Sequence, residues 1–378
     1  YALNESNSEK LRMGKLMKNG LWIALFLSLP AVFFLIHMGK IFLYFHQAKS
    51  LVILTQNYFF YAALSMPSLL LVNCITQILI ALGKLKVILI MSGFTLPLTL
   101  FLSYALILGK FGFPILQLAG ISCAHFLSQT MICFIILIYL IFNNAYKPYQ
   151  IFYGEIFPNW NELKNILRLG LPIGLQFGLE LGAITCTTFF MGYFGINALA
   201  ATQITSQYAM LMTVFNLSIS QATAILISSA YSNKNIILIK NYLHAALIFL
   251  LIFFTLISIL FFLYKNYFLS LFLASGNSGN FFLIHLSKIF LILAICLQFI
   301  EGIKNILSGG LRACKYSSHV MFTGVICLWG ISVPLSYLIG VYWHQGPVAL
   351  RSTFLSGFIV AIFCLCYQFK KLIQKNMF

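Results

Sequence analysis

Glu180 and Glu301 are the residues of this chain best placed to do chemistry, because each lies deep inside a long apolar run. The chain has six acidic residues, all of them glutamates, and the other four lie in polar segments: Glu5, Glu9, Glu155 and Glu162. Placing an ionisable group inside a bilayer costs about 3 kcal/mol or more, so such a group is a functional-site candidate. Two carboxylates on separate spans predict a pathway for a proton or another cation.

The apolar runs that position these carboxylates predict an all-α polytopic membrane protein. The 378 residues are 61% hydrophobic and only 8% charged, with a mean hydropathy of +0.97. A helix needs about 20 apolar residues to cross about 30 Å of hydrocarbon. Runs of that length predict ten transmembrane helices, over 18–36, 53–82, 86–108, 115–142, 164–192, 196–230, 239–264, 279–310, 318–341 and 347–369.

The net charge of +17 indicates membrane orientation, and we do not expect nucleic-acid binding. The basic residues are scattered through short loops and form no basic face. Most of them fall on one side of the predicted membrane, as Lys10 and Lys84 do, whereas Lys40 and Lys110 fall on the other. The positive-inside rule therefore places both termini in the cytoplasm. Richness in Ile, Asn, Lys, Phe and Tyr is typical of AT-rich bacterial genomes, so the bacterial inner membrane is the expected location.

The fifth span surrounds Glu180 with residues suited to a buried site. Gln176 lies one turn before Glu180, on the same helix face. A stripe of glycines recurs at every fourth position and predicts close packing against another helix: Gly170, Gly174, Gly178 and Gly182. Gln203 in the next span is a further candidate for lining a polar cavity.

The eighth span places Gln298 and Lys304 within one turn of Glu301. At 1.5 Å per residue, both carboxylates lie at a similar depth, near the middle of a core about 30 Å thick. Midplane polar groups are where secondary transporters bind substrates and coupling ions. The competing interpretation is structural, with Glu180 a neutral buried acid and Glu301 a partner for Lys304 within its own helix.

The sequence gives little evidence for catalysis or for a bound metal. The seven histidines are dispersed, and the nine cysteines lie mostly in apolar runs without metal-ligand spacing. The chain has no Asp, no phosphate-binding P-loop sequence and no catalytic Ser/His/Asp or Cys/His set. We therefore expect neither an enzyme nor a bound metal or cofactor beyond a coupling ion.

A long polar connection and a faint repeat predict two lobes. Residues 143–163 are the longest polar segment between spans. Ser103-Tyr104 in the third span and Ser336-Tyr337 in the ninth resemble each other at an offset of about 230 residues. This offset pairs spans one to four with spans seven to ten and leaves spans five and six without partners. The expectation is that two helices precede Tyr1 in a complete transporter of this type.

Several segments resemble the multidrug and toxic compound extrusion (MATE) family, in its NorM-like branch. The strongest resemblance covers residues 167–207, similar to the family's seventh and eighth helices. Gln298, Glu301 and residues 307–312 (LSGGLR) are similar to its tenth helix. In the first half, residues 80–84 (IALGK) and 109–114 (GKFGFP) resemble the ends of its fourth and fifth helices.

The resemblance implies a two-lobe plan of twelve helices, of which this chain would supply helices three to twelve. The lobes would be 1–142 with four helices and 164–378 with six, joined by a cytoplasmic connection over 143–163. The implied activity is export of small organic cations by a monomer, in exchange for sodium ions or protons. Glu180 and Glu301 match the family's cation-site positions, while Leu297 and Thr202 depart from common family residues, so the coupling ion stays open.

Two alternatives remain at the level of the sequence. The chain could be a degenerate remnant that inserts into the membrane without transporting, as the absent helix pair suggests. It could also be a related flippase for lipid-linked sugars, although such proteins favour clusters of basic residues in a cavity. Lys304 is the main basic residue among the cavity candidates here.

Overall fold

The computed structural model of the chain describes residues 7–44, 49–151, 158–270 and 281–375. Nearly all of these residues are helical, and no β-strand occurs among them. Glu5 and Glu155 lie outside the described residues, as does the side chain of Glu9. The chain divides into two compact units, Tyr1–Leu167 and Arg168–Phe378. This division falls inside a helix near the predicted start of the second lobe, and the lobe limits stay a prediction.

Ten helices in the described residues are long and apolar enough to cross a membrane, which confirms the predicted fold class. The N-terminal unit is built from five helices: α1 (Asn7–Ile36), α2 (Met38–Tyr44), α3 (Lys49–Ala81), α4 (Leu85–Leu108) and α5 (Leu118–Phe142). The others are α6 (Trp160–Met191), α7 (Ile196–Ser232), α8 (Ile236–Ser270), α9 (Phe281–Ala313), α10 (Ser317–Cys327), α11 (Val333–Leu335) and α12 (Pro347–Lys375).

The N-terminal unit packs α3 against both α1 and α5, and α4 packs mainly against α5. An apolar cluster joins one end of these helices through residues such as Met17, Leu79 and Leu140. A short 3-10 helix, Asn144–Tyr149, follows α5 and buries Tyr146 and Tyr149 in the same cluster. The polar connection therefore begins as an ordered cap on this unit.

The C-terminal unit is organised around the long contact between α7 and α9. Small residues allow the two helices to approach closely, because a Cβ added to Gly309 would lie 2.5 Å from Ser220 Oγ and 2.8 Å from its carbonyl oxygen. Ser220 Oγ donates a hydrogen bond of 2.5 Å to the carbonyl of Asn305 at the same crossing. Close backbone contact of this kind fixes the rotation of α9 about its axis, which decides where its polar residues point.

A wide helical segment follows α10. Leu328–Ser332 and Ser336–Tyr342 have π-helical hydrogen bonding, and α11 lies between them. Pro334 has no backbone N–H and disturbs the ordinary helical pattern here. This segment packs against α12 and carries Trp329, which contacts α6 beside Glu180.

The α7–α9 crossing yields a stability prediction. Gly309→Ala should lower the free energy of unfolding by about 1–3 kcal/mol, because the new methyl group overlaps the Ser220 backbone. The measurement is the unfolding transition of the purified chain in detergent, followed by circular dichroism.

Gly174→Ala is the matched control, since no heavy atom lies within 4 Å of its added Cβ. It should leave stability unchanged or raise it slightly, because alanine favours helix by about 1 kcal/mol over glycine. Equal effects of the two substitutions would contradict this account of the crossing.

Candidate functional site

An ion pair between α6 and α9 forms the centre of the candidate site. Lys304 Nζ donates to Glu180 Oε1 at 2.9 Å, and the two side chains are 2% and 14% exposed. The Lys304 ammonium also lies 4.9 Å from the centroid of the Phe358 ring on α12. A charge removed from water is tolerated only when it is paired and hydrogen-bonded. Lys304 satisfies this condition through Glu180 and the face of an aromatic ring.

Gln176 extends the ion pair toward a second basic residue. Its amide nitrogen donates to Glu180 Oε1 at 2.9 Å, and its amide oxygen accepts from Arg312 Nη2 at 2.9 Å. Gln176 is buried, and Gly324 of α10 lies against it. The Arg312 guanidinium lies 5.1 Å from the Phe177 ring centroid. A single amide therefore links the carboxylate on α6 to the arginine at the end of α9.

Glu301 belongs to a different set of hydrogen bonds. Gln298 Nε2 donates to Glu301 Oε2 at 2.8 Å. The oxygen of the same amide accepts from Thr213 and from Asn216 Nδ2, each at 3.1 Å, and Asn216 also donates to the Gln298 carbonyl at 2.8 Å. Two side chains of α7 thereby fix the amide so that its N–H points at Glu301.

The two carboxylates are therefore in unequal electrostatic surroundings. Glu180 accepts a hydrogen bond from an ammonium group, whereas Glu301 accepts one from the neutral amide of Gln298. With both acids ionised, Glu180 and Glu301 balance the formal charges of Lys304 and Arg312. Among the described residues, no three His, Cys or acidic side chains cluster closely enough to hold a metal ion.

Trp329 positions α6 at the level of Glu180. Its indole Nε1 donates to the carbonyl of Leu179 at 3.0 Å. Its ring lies 3.3 Å from where a Cβ on Gly182 would stand, so the absence of a side chain there makes room for the indole. The residue next to Glu180 is thus held by a hydrogen bond from the π-helical segment.

The structure brings most of the predicted site residues together and leaves others apart. Gln176, Glu180, Gln298, Glu301 and Lys304 all lie in this region of the C-terminal unit. Lys304 bonds to Glu180 on another helix, whereas the competing structural interpretation paired it with Glu301 on its own helix.

Gln203 is not among the residues that contact the site, and its side chain is exposed on α7.

The glycine stripe of α6 makes a close contact at one position. Gly182 meets Trp329, but no heavy atom lies within 4 Å of an added Cβ at Gly170, Gly174 or Gly178. The predicted close packing is therefore not supported at these three glycines, because they lie on an exposed face of the helix.

Arg312, Thr213 and Asn216 are site residues that the sequence interpretation missed. Arg312 lies in the last turn of α9, and its guanidinium bonds to Gln176. It follows Glu301 by three helical turns, so the two share one face, a signal that could have identified it. Asn216 lies inside an apolar stretch of α7, one turn after Thr213, and that spacing was the available signal for both.

The apolar helices and the buried polar site are those of a multi-pass membrane transporter. Comparison with known proteins supports this class. The MatE family model matches residues 7–105 and 172–338. This chain belongs to the MatE family.

Its relatives include the probable multidrug resistance protein NorM of Synechocystis sp. strain PCC 6803, 24% identical over 365 residues that cover 97% of this chain and 79% of the relative. The NorM protein of Mannheimia succiniciproducens is 25% identical over 378 residues, which cover 98% and 79%. The fold is shared with the outward-facing conformation of a multidrug resistance MATE family transporter of the MOP superfamily. That match has a TM-score of 0.83 at 17% identity and covers 98% of this chain and 80% of the other.

The amide bonds to Gln298 yield a second prediction. Asn216→Ala should lower the free energy of unfolding by about 1–3 kcal/mol, because the Gln298 carbonyl loses a buried donor. Ser218→Ala on the same helix is the control, since its exposed hydroxyl bonds only within α7. Thermal unfolding in detergent measures both. A control as destabilised as Asn216→Ala would count against a specific role for the amide.

Proposed function

We propose that this chain is a secondary transporter that exports small organic cations in exchange for sodium ions or protons. Its location would be the bacterial inner membrane, with both termini in the cytoplasm and the monomer as the working unit. Membership of the MatE family and the multidrug resistance names of the NorM relatives support the export of drugs. The observation that carries the coupling mechanism is the pair of acidic residues at mid-span, Glu180 and Glu301.

The physical argument for coupling begins with the cost of charge in an apolar bundle. Glu180 and Glu301 lie in the middle thirds of spans Trp160–Phe194 and Phe282–Ala313. A carboxylate at that depth is stabilised by a proton, a metal cation or an organic cation. A carboxylate that has bound one of these cations attracts a second one less strongly. Cations entering from opposite sides of the membrane therefore compete for the same oxygen atoms. This competition is the basis of exchange.

The surroundings of Glu301 suit a site that exchanges cations. Gln298 holds one carboxylate oxygen by a neutral hydrogen bond and therefore adds no positive charge that would repel a cation. Aromatic side chains lie near the basic residues of the site, including Phe358 and Phe177. Rings of this kind can also contact a flat organic cation.

The charges of the site do not favour a flippase for anionic lipid-linked sugars. Lys304 and Arg312, the basic residues of the site, each already donate a hydrogen bond, to Glu180 and Gln176. The charge of Lys304 is already balanced by Glu180 at 2.9 Å, so an anionic headgroup would have to compete with that carboxylate for the ammonium.

The test of the proposed function is dye export by the purified full chain in liposomes. An imposed sodium or proton gradient should drive movement of ethidium against its own gradient. Glu301→Gln should lower the initial rate by about tenfold or more, since each 1.4 kcal/mol of lost cation stabilisation is a factor of ten. Ethidium fluorescence inside the liposomes measures the rate.

Glu162→Gln is the matched control, because Glu162 lies in the first turn of α6, away from the buried network. It should transport at the rate of the unsubstituted chain. Transport that does not respond to either gradient, or that survives Glu301→Gln unchanged, would overturn the proposed mechanism.

A further inference from the structure

Lys304 is a cation that the chain carries inside its own candidate cation site. Its ammonium group lies where a bound cation would lie, 2.9 Å from Glu180 Oε1, and it is almost completely buried. An external cation can bind tightly to that oxygen only if the ammonium moves away from it. The site thus contains a competitor tethered to α9 by a flexible four-carbon chain.

Lys304 has a second carboxylate within reach. Glu301 precedes it by three residues on α9, and side chains three apart on a helix share one face. The ammonium can therefore bond either to Glu180 on α6 or to Glu301 on its own helix. These two arrangements keep Lys304 paired, so neither leaves an isolated positive charge in the apolar bundle.

The other groups around Lys304 leave these two acids as its ionic partners. Phe358 on α12 provides a neutral ring face, 4.9 Å from the ammonium to the ring centroid. Arg312, the second basic residue, is held by Gln176 and stacks on Phe177. Whichever acid Lys304 leaves has no other ammonium or guanidinium bonded to it in the structure as described.

We propose that Lys304 is an internal counter-ion that decides which carboxylate binds an external cation. While Lys304 pairs with Glu180, as in this structure, Glu301 is the cation site. When Lys304 pairs with Glu301 instead, Glu301 is blocked and Glu180 becomes the cation site. The ligand class is a monovalent cation, either inorganic or an organic ammonium or phosphonium ion. This inference rests on the proposed function, because it divides the work of cation binding between the two acids.

Binding of tritiated tetraphenylphosphonium to the full chain in detergent tests this exchange of partners. Glu180→Gln should weaken binding about tenfold, because Lys304 then pairs with Glu301 and occupies the remaining site. Neutralising the lysine as well, in Glu180→Gln with Lys304→Gln, should restore the affinity of the unsubstituted chain to within about threefold. Glu301→Gln should also lose binding, and Lys304→Gln should restore it at Glu180.

A charge-preserving variant of Lys304 provides the matched control. Lys304→Arg keeps the positive charge and should rescue neither Glu180→Gln nor Glu301→Gln. Lys304→Met is the second neutral variant if glutamine at this position prevents folding, because its unbranched apolar chain can still pack on Phe358. Size-exclusion chromatography and circular dichroism establish that each variant is folded.

The outcomes separate the inference from the function on which it rests. If the unsubstituted chain binds the cation and exports dye, but neutral Lys304 variants rescue neither glutamate substitution, the internal counter-ion is overturned and the transporter stands. If the folded unsubstituted chain neither binds the cation nor exports dye under either gradient, the proposed function itself is overturned. Rescue of both glutamate variants by neutral residues, with no rescue by arginine, supports the counter-ion.

Discussion

The free-energy cost of charge in an apolar environment is the constraint on which the C-terminal unit depends. The four ionisable side chains of the site lie among helices whose other residues are mostly apolar, and each has a hydrogen-bond partner. Glu180 accepts from Lys304, Arg312 donates to Gln176, and Glu301 accepts from Gln298. Removing one member of a buried ion pair such as Lys304–Glu180 typically costs about 3–5 kcal/mol unless another charge takes its place. The polar residues therefore constrain where α6 and α9 lie relative to each other.

Helix packing provides the precision that these bonds require. The approach of α7 and α9 at Gly309 and Ser220 sets the rotation of α9, and this rotation directs Glu301 and Lys304. Trp329 holds α6 one residue before Glu180, from a segment whose helical pattern is widened near Pro334. Small residues and an irregular turn thus contribute to function indirectly, since an error of 1 Å would separate donors from acceptors.

A balanced set of charges underlies the proposed second arrangement of the site. An amide such as Gln298 fixes its neighbour through short bonds and has little freedom, because Thr213 and Asn216 hold it from α7. Lys304 has a long side chain and two acids within reach, which is what the proposed exchange of partners requires. A rigid amide beside a flexible ammonium allows one element of the site to change while the helices stay in place.

The sequence by itself determined the fold class and the identity of the main acids. Apolar runs of membrane length predicted ten spans that the structure confirms, because the thickness of the hydrocarbon core sets helix length directly. Glu180, Glu301, Gln176 and Gln298 stood out because polar residues are costly within such runs. Tertiary structure alone decided the partners. Lys304 bonds to Glu180 on α6, Arg312 bonds to Gln176, and the Gln203 side chain is exposed on α7. Spacing along a helix shows which residues share a face, but the neighbour of that face depends on how helices cross, and the crossing is set by contacts between residues far apart in the chain.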